Sequence, residues 1–302
     1  MTNFEHKKVP GILGTRLEAK LNRDWVPHYV CAKKADWFTI WMNYEIIAPL
    51  GGTCWADNLK LNYDPESGLN SNTDGVDIRT ECFGETDCIE WLDPHHLIPD
   101  GRYFHDLVQS FVRNGYTVNY NLKAAAYDWR YSPSELTKIG YYRKLRTMTE
   151  KMVAQFGKKI VYAVHSMGNP VLTHFLTQEV DQEWKDKHVK IWAAIAPVFM
   201  GAPKSLKSLI SGENDGIPRV LVGNIQMRTL FRTLPSTYYL VPSIPREYPE
   251  SWPEEFKTIV VTDSKNYTYD NMHEIFEERV WRNFLTIITA YIVGEAHTVI
   301  KY

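Results

Sequence analysis

The sequence predicts an α/β fold built on a mainly parallel β-sheet. Three observations support this prediction: strand-like and helix-like segments alternate, one strand-like run leads into a serine-containing turn, and the chain can bury a full core. The chain has 302 residues, of which 44% are hydrophobic. This composition excludes intrinsic disorder, and the length allows one large domain or two ordinary ones.

The predicted elements follow this alternation in chain order. Residues 136–156 carry apolar side chains every three or four positions, which predicts one amphipathic helix of about 20 residues. The β-rich run 159–164 predicts a buried strand that enters a short turn and then a helix. The run 191–195 predicts another buried strand, and the run 258–262 predicts a further strand.

Two regions depart from the alternation. Between Cys31 and Cys54 a set of apolar residues marks one helical face and predicts a helical insertion or cap: Trp37, Ile40, Trp41, Tyr44, Ile47 and Ala48. Residues 211–248 are rich in Gly, Pro, Arg and aromatic residues without a clear period, which predicts a long loop.

The charge balance excludes one class of partner. With 34 basic and 36 acidic residues the formal charge is −2, so the chain lacks the basic surface of a nucleic-acid-binding protein. The aromatic content of 10 Trp, 18 Tyr and 12 Phe suits either a core or a surface that meets lipid. No apolar run is long enough to span a membrane, and the N-terminal segment contains no secretory signal. We therefore expect a soluble chain without an export signal.

The most informative segment is 160–169, Ile-Val-Tyr-Ala-Val-His-Ser-Met-Gly-Asn. A buried strand followed by Ser-x-Gly and a helix is the setting of a nucleophile elbow, a sharp turn that projects a serine hydroxyl above the sheet. Ser166 is therefore the candidate nucleophile. Gly168 provides the small residue that the turn needs two positions later, whereas the β-branched Val164 two positions earlier is expected to strain the turn.

An elbow serine also needs an oxyanion hole, two backbone amides that stabilise the negative charge of the reacting oxygen. The amide of Met167 would supply one donor. The glycine-containing segment 10–14, Pro-Gly-Ile-Leu-Gly, is the candidate for the other, with Ile12 as donor. An ordinary Gly/Pro turn is the alternative interpretation of this segment.

In this fold the catalytic residues follow the chain order serine, acid, histidine. His297 lies in a loop-like Gly-Glu-Ala-His segment and is the candidate base, while Asp263 follows the run 258–262 and is a candidate acid. Ordinary surface positions are the alternative for both. Three other histidines follow Ser166, and they lie on the next helix, in a charged surface segment and in an acidic helical segment: His174, His188 and His273.

The four cysteines, Cys31, Cys54, Cys82 and Cys88, allow three complete pairings. Their spacing does not match a zinc site, so no metal is predicted. The residues alone leave free thiols and disulfides equally open. One glycosylation sequon, Asn266-Tyr267-Thr268, applies only to an exported protein.

Seven segments taken in order resemble one family. They are Pro-Gly-Ile-Leu-Gly-Thr-Arg-Leu-Glu-Ala-Lys-Leu (10–21), Phe-Thr-Ile-Trp (38–41), Cys-Trp-Ala-Asp-Asn (54–58), Asp-Gly-Val-Asp-Ile-Arg (74–79), Tyr-Asp-Trp-Arg (127–130), His-Ser-Met-Gly-Asn (165–169) and Ser-Gly-Glu-Asn (211–214). Together they resemble the lecithin:cholesterol acyltransferase family, especially its lysosomal phospholipase/transacylase branch. The resemblance covers about residues 9–276.

The resemblance implies a single α/β-hydrolase-like domain over 1–302 with a cap, in which 31–54 is a membrane-contacting insertion, 211–235 a lid loop and 277–302 a divergent tail. Members of this family attack a glycerophospholipid ester with the elbow serine, form an acyl-enzyme and pass the acyl group to water or to a lipid alcohol. No cofactor is implied. The implied partner is a peripheral membrane surface, and the implied location is lysosomal or extracellular.

The resemblance also implies roles for individual residues of this sequence. Ser166 is the nucleophile, and the amides of Ile12 and Met167 form the oxyanion hole. The remaining implied roles are a Cys31–Cys54 disulfide, contact with the membrane or acyl chain by Trp37, Phe38 and Trp41, contact with a lipid phosphate by Lys204, and glycosylation at Asn266. Cys82 and Cys88 have no implied role.

The sequence departs from the family pattern in three places. Val164 replaces an alanine, Lys7-Lys8-Val9 replaces an apolar strand, and no Asp-Gly-Asp-Gly-Thr-Val motif carries the family acid. Three hypotheses remain open: a family enzyme whose given chain is incomplete at both ends, a short product that binds lipid without catalysis, or a simple esterase that pairs Asp263 or Asp270 with His297.

Overall fold

The computed structural model describes residues 5–43, 51–80, 82–96, 101–214, 222–243, 258–262 and 265–279. The strands are β1 (Glu5–Val9), β2 (Leu17–Asn22), β3 (Lys34–Trp41), β4 (Leu61–Asp64), β5 (Leu69–Asn72), β6 (Val76–Arg79), β7 (Leu122–Ala124), β8 (Ile160–His165), β9 (Val189–Ile195), β10 (Thr258–Val261) and β11 (Asn266–Thr268). The helices are α1 (Gly51–Leu59), α2 (Asp87–Glu90), α3 (His105–Arg113), α4 (Pro133–Lys138), α5 (Tyr141–Phe156), α6 (Gly168–His174), α7 (Gln182–His188), α8 (Pro203–Ile210), α9 (Asn224–Phe231), α10 (Pro235–Tyr239) and α11 (Met272–Arg279), and a π-helical turn (Phe175–Glu179) continues α6.

A parallel sheet with strand order β7-β1-β8-β9 lies at the centre of the fold and confirms the predicted α/β class. Val9 is paired with Val164, and His165 with Ile195, so β1, β8 and β9 end side by side at the carboxyl ends of the strands. The turns that follow these strands are therefore neighbours. In open α/β sheets this edge is where ligands bind.

Two lysines lie buried in the central strand β1. The Lys7 Nζ donates a hydrogen bond of 2.6 Å to the Thr149 hydroxyl. The Lys8 Nζ lies 4.7 Å from the centre of the Phe111 ring and has no hydrogen-bond partner in the described part of the chain. Burial lowers the pKa of the Lys8 ammonium to about 7. The central strand β1 thus buries two lysine side chains at positions where apolar side chains are usual.

The single helix predicted over 136–156 is in fact two helices. Gly140 has φ +78° and separates α4 from α5. Glycine adopts this left-handed conformation easily, and it commonly ends a helix. Ser132 and Glu135 form a capping box at the start of α4. The apolar period therefore runs through both helices, and one glycine inside it divides them.

The helix predicted between Cys31 and Cys54 is wrong for its first half. Residues 34–41 form β3, which pairs antiparallel with β2 in a separate three-stranded sheet of order β3-β2-β6. Ile40 and Trp41 are buried there. Tyr44, Ile47 and Ala48 lie outside the described residues, and Cys54 belongs to α1.

Two further expectations are corrected. The run 191–195 belongs to β9, but this strand is an edge of the described sheet and Ile191 and Ile195 are partly exposed rather than buried. The loop predicted over 211–248 contains α9 and α10, and α9 packs Met227 and other apolar side chains into the main core. The predicted strand at 258–262 is present as β10, which pairs with β11.

None of the helices that the structure describes has the length and apolar character needed to cross a bilayer.

All four cysteines form disulfides. Cys31 pairs with Cys54, the pair that the resemblance implies, and this bond ties the end of the β2–β3 loop to α1. Cys82 pairs with Cys88 and closes the turn that leads into α2, a bond that neither the spacing nor the resemblance predicts.

Candidate active site

Ser166 occupies the sharp turn between β8 and α6. Its φ is +51°, a left-handed conformation that a non-glycine residue adopts only where the surrounding structure enforces it. The Ser166 amide donates a 3.1 Å hydrogen bond to the Ile195 carbonyl at the end of β9, and the Asn169 amide donates a 3.0 Å bond back to the Ser166 carbonyl. The strand–turn–helix setting thus produces the strained elbow that the sequence predicts.

The side chain of Asn169 fixes the elbow from below. This buried amide donates hydrogen bonds from Nδ2 to the carbonyls of Val164 at 3.2 Å and Ser166 at 3.0 Å. Its Oδ1 accepts a 3.0 Å bond from the Trp192 indole on β9. Sequence reasoning gave Asn169 no role, although it ends the motif that carries Ser166. Its contacts hold the turn in one conformation.

The small residue after the serine is required by the neighbouring strand. A Cβ atom at Gly168 would lie 2.5 Å from the Pro10 carbonyl oxygen and 2.7 Å from that of Val9, closer than real contacts allow. Val164, where strain is expected, keeps regular strand pairing with Val9 and with Ala194. The unusual backbone conformation falls on the serine instead.

The segment 10–14 lies directly against the serine. A Cβ atom at Gly11 would be 2.7 Å from the Ser166 Cβ and 3.2 Å from its Oγ. The Gly14 amide closes a turn on the Gly11 carbonyl at 3.1 Å, and Leu13 within that turn has φ +59°. Only a residue without a side chain allows the backbone to approach Ser166 this closely.

Tyr103 joins this loop to the elbow. The Gly11 amide donates a hydrogen bond of 3.1 Å to the Tyr103 hydroxyl oxygen, which also lies 2.6 Å from Nδ1 of His165. Burial raises the pKa of Tyr103 to about 12, so the hydroxyl keeps its proton. Burial also lowers the pKa of His165, which favours the neutral form of its ring. The sequence held no local signal for Tyr103.

The two amides predicted to form the oxyanion hole lie on either side of this junction. Ile12 follows Gly11, and Met167 follows Ser166. Within the described ranges, neither amide donates a hydrogen bond to another protein group. Among the residues that the structure describes, both donors are therefore without an acceptor.

The histidines that the structure describes form no hydrogen bond with the Ser166 hydroxyl. His174 stacks on Tyr142 and lies 3.2 Å from the Thr137 hydroxyl. His188 is buried against Trp184, so its expected place on a solvated surface is wrong. His273 is exposed on α11, and Asp270 is exposed just before that helix. The candidate base His297 and the candidate acid Asp263 lie outside the described residues.

The three aromatic side chains expected to contact lipid have different surroundings. Trp41 is only 2% exposed, lies beside Trp55 and Trp129 and donates a 2.7 Å hydrogen bond to the Leu13 carbonyl. A side chain buried in this way does not reach a bilayer surface, and its expected contact with an acyl chain stays a prediction. Phe38 is partly buried against the core. The ring of Trp37 is half-buried, and the Arg79 guanidinium lies 3.9 Å from its centre.

The remaining predicted residues lie at the surface. Lys204 is exposed in the first turn of α8. Asn266, the sequon residue, is exposed on β11. The start of the predicted lid segment lies against residues 222–224. The Asn214 side chain donates a hydrogen bond to the Val222 carbonyl. The Asn224 backbone lies so close to Gly212 that a Cβ atom at Gly212 would collide with it.

A serine held at positive φ where a central parallel strand enters a helix, beside a glycine loop from the first strand, defines an α/β-hydrolase fold with an elbow serine. Comparison with known proteins agrees, because the model of the lecithin:cholesterol acyltransferase family matches residues 37–298. The chain belongs to the lecithin:cholesterol acyltransferase family.

Individual relatives divide into two kinds of enzyme. The lysosomal phospholipase A and acyltransferase of Mus musculus is 40% identical over 271 residues, which is 89% of this chain and 63% of the relative. The human protein of the same name is 39% identical over 271 residues, with the same two shares. The phosphatidylcholine-sterol acyltransferase of Mus musculus is 36% identical over 282 residues, which is 92% of this chain and 61% of the relative. The aligned chain thus spans about three fifths of the length of these curated relatives.

Proposed function

We propose that this protein acts on glycerophospholipid esters as an acyl hydrolase and O-acyltransferase. The Ser166 oxygen attacks the ester carbonyl carbon, the bond to the lipid alcohol breaks, and an acyl-serine forms. Water or a second lipid alcohol then attacks the acyl-serine and restores the serine hydroxyl. The observation that carries this proposal is the strained Ser166 elbow, with Gly11 packed against its side chain.

The amides of Ile12 and Met167 have no acceptor among the described residues, which supports an oxyanion hole. In the tetrahedral intermediate the former carbonyl oxygen carries a negative charge, and amides that are already oriented stabilise it without reorganisation. Because Gly11 already donates its amide to Tyr103, the next amide along the chain, that of Ile12, is the available donor of this loop. We assign the two donors on this basis.

We propose His297 as the general base that takes the serine proton. In the described part of the chain no histidine forms a hydrogen bond with the Ser166 hydroxyl, and this fold carries its base late in the sequence. Asp263 and Asp270 are the proposed alternatives for the acid that orients this histidine. Without its base a serine loses rate by orders of magnitude.

The proposed substrate and location follow the names of the relatives. Those names cover a phospholipase A with acyltransferase activity in lysosomes and a sterol acyltransferase that uses phosphatidylcholine. Two disulfides and the exposed sequon at Asn266 support an oxidising, secretory location, so we propose lysosomal or extracellular. We further propose 211–235 as the lid over the acyl chain and Lys204 as a contact for the lipid phosphate.

A second candidate function is lipid binding without catalysis. The observation that favours it is the departure of the sequence from the family pattern, since no Asp-Gly-Asp-Gly-Thr-Val motif carries the acid. In that case the protein binds phospholipid vesicles while Ser166 reacts with neither ester nor phosphonate.

The test is turnover of phosphatidylcholine with and without a long-chain alcohol as acceptor, alongside a soluble short-chain ester. We expect free fatty acid without the alcohol and an alkyl ester with it. Ser166→Ala and His297→Ala should each abolish both products, whereas the matched control His273→Ala, at an exposed position, should retain them. Turnover that survives Ser166→Ala contradicts the proposal, and vesicle binding without any turnover favours the second candidate.

A further inference from the structure

The Cys82–Cys88 disulfide closes the turn before α2 and lies in the core. The two cysteines are 6% and 2% exposed, and they share one apolar cluster with Phe104. Tyr103, the residue whose hydroxyl contacts both Gly11 and the elbow, packs against the same cluster. We call residues 82–91 the α2 segment. Its covalent closure therefore lies beside the tyrosine that joins the two halves of the site.

The helix in the α2 segment is too short to be stable by itself. It has four residues, and the first turn of a helix fixes several backbone angles for one hydrogen bond. The disulfide restricts the preceding turn, because it joins two residues that are six positions apart. The Thr86 hydroxyl adds a second constraint, since it donates a 2.5 Å hydrogen bond to the buried Glu90 carboxylate. Bonds within the segment thus hold α2 in its helical form.

Arg16 binds the end of the loop that touches Ser166 to the α2 segment. The Arg16 amide donates a 2.9 Å hydrogen bond to the Cys88 carbonyl. Its guanidinium pairs with the Asp87 carboxylate and donates a 3.4 Å hydrogen bond to the Trp91 carbonyl. The Arg16 side chain is only 14% exposed, so water screens this ion pair less than it screens an ordinary surface pair. One residue of the loop therefore makes three contacts with the segment.

Tyr103 connects the start of the same loop to the α2 segment. The Tyr103 amide donates a 2.9 Å hydrogen bond to the Glu90 carbonyl, and the Tyr103 hydroxyl accepts the Gly11 amide at 3.1 Å. The loop is thus attached to α2 at its end through Arg16 and at its start through Tyr103.

Ile12, the proposed oxyanion donor, lies between these two attachments. Two indoles hold carbonyls of the same loop: Trp41 donates to Leu13 at 2.7 Å, and Trp129 donates to Thr15 at 3.0 Å. These bonds fix the side of the loop that faces the core, and the attachments to α2 fix its two ends. An amide stabilises a developing oxyanion only if it already points at it, so a small displacement of the loop lowers the rate.

We propose that the α2 segment positions the oxyanion hole, with Arg16, Cys82 and Cys88 as positioning residues for acyl transfer. The proposal rests on the proposed function, because it assigns the support of the Ile12 donor. These side chains act through the loop backbone and not through contact with the reacting atoms. Their loss should therefore slow the acylation of Ser166 and leave the affinity for the ester unchanged.

The first test is Arg16→Met in the full chain, assayed with a soluble short-chain ester and with a fluorophosphonate that labels Ser166. The variant keeps the stem of the side chain and loses its ion pair. We expect kcat and the labelling rate to fall roughly tenfold, with KM within about twofold of wild type. Arg146→Met is the matched control, because it removes an arginine that is 50% exposed and pairs with Glu150 on α5. It should react as wild type does. Wild-type kcat in folded Arg16→Met, or a change in KM alone, overturns the proposal.

The route through Arg16 is tested with its partner. Asp87→Asn weakens the pair without removing an acceptor, so kcat should fall about threefold. Because Asp87 acts only through Arg16, the double variant Arg16→Met/Asp87→Asn should be no slower than Arg16→Met. Effects that multiply in the double variant contradict this route.

The disulfide is tested with Cys82→Ser/Cys88→Ser. We expect a lower melting temperature and, in protein that is still folded, a roughly threefold to tenfold lower kcat at unchanged KM. Gly115→Ala is the control for lost stability, since Gly115 has φ +87° and no atom near its Cβ position. It should lower the melting temperature and keep the wild-type kcat. Equal kcat in the two folded variants contradicts the assignment of the disulfide.

Hydrogen exchange tests the support of the loop without any turnover. In Arg16→Met the amides of residues 10–16 should exchange at least roughly fivefold faster than in wild type, whereas those of residues 160–169 should not change. Arg146→Met should change neither set. Unchanged exchange in residues 10–16 overturns the proposal.

This measurement separates failure of the proposal from failure of the proposed function. A chain that hydrolyses the ester equally well with and without the Arg16 side chain retains the function and loses the role of the α2 segment. A wild-type chain that hydrolyses no ester, but whose loop exchanges faster in Arg16→Met, loses the function and retains the α2 segment as the support of the loop.

Discussion

The hydroxyl oxygen of Tyr103 lies 2.6 Å from Nδ1 of His165, the residue that immediately precedes Ser166. The same oxygen accepts the Gly11 amide at 3.1 Å. One side chain therefore connects the two backbone segments that supply the proposed oxyanion donors. Because Tyr103 reaches both through a single hydroxyl, its removal should shift the loop and the elbow relative to each other.

The first prediction concerns Tyr103→Phe, which removes only the hydroxyl. The ring continues to fill the space beside Gly14, and two buried polar groups lose their partner. We expect Ser166 to react with a fluorophosphonate about threefold to tenfold more slowly, the effect of a net hydrogen bond of about 1 kcal/mol. Ester turnover should fall by the same factor in kcat rather than in KM. A change confined to thermal stability would assign Tyr103 a purely structural role.

The second prediction concerns the loop that touches the serine. Gly11→Ala places a Cβ atom 2.7 Å from the Ser166 Cβ, so we expect the loop to move away and turnover to fall at least tenfold. Gly115→Ala is the control, since Gly115 has φ +87° and nothing near its Cβ position. This control should lower stability by about 1–2 kcal/mol and leave the labelling rate of folded protein unchanged. If the fluorophosphonate labels Ser166 at the same rate in Gly11→Ala and Gly115→Ala, the position of the loop does not affect the reactivity of Ser166.

The third prediction is a pH dependence of stability that arises from Lys8. The pKa of Lys8 is lowered to about 7 in the folded protein and is about 10.4 in an unfolded chain, so only the unfolded chain is protonated between these values. The free energy of unfolding should therefore rise with pH across this window, with up to about 4 kcal/mol missing at neutral pH.

Lys8→Met removes this penalty and should stabilise the protein at about pH 7 much more than at about pH 10. Urea unfolding at both pH values measures the difference. Lys187→Met, at an exposed position on α7, should change stability by no more than about 0.5 kcal/mol at either pH. A stabilisation by Lys8→Met that is equal at both pH values is the contrary result.

The fourth prediction separates core tryptophan from surface tryptophan. Trp41→Phe removes the bond to the Leu13 carbonyl and part of the packing against Trp55, so it should destabilise the protein by about 2–3 kcal/mol. Trp25→Phe should leave the unfolding free energy unchanged, because Trp25 is exposed. Vesicle binding should be unaffected by Trp41→Phe. Weaker vesicle binding by folded Trp41→Phe would show that Trp41 contributes to lipid contact.

The fold class and the elbow could be predicted because their signals are local. A strand, the Ser-x-Gly turn and a helix follow one another within residues 160–174, and the residue pattern predicts each of them. The two-helix break at Gly140 was missed because the apolar period continues across it. The left-handed backbone conformation of Gly140 ends the first helix even though the apolar pattern continues.

Contacts between distant segments could not be predicted. Trp37 and Trp41 have helical spacing, but pairing of 34–41 with β2 imposes a strand, and the pattern of one segment carries no information about its partner. Tyr103 and His165 are 62 positions apart and meet only in the folded chain. The burial of His188 depends on Trp184 one turn earlier, although the surrounding charges indicate a surface.

The central claim is that Ser166 is the acyl-accepting nucleophile. The most direct measurement is peptide mass spectrometry of the full chain after reaction with a phosphonate analogue of a phospholipid. We predict one covalent adduct, on the peptide that contains Ser166, and no adduct in Ser166→Ala. An unmodified Ser166 peptide, or an adduct that persists in Ser166→Ala, would contradict the account.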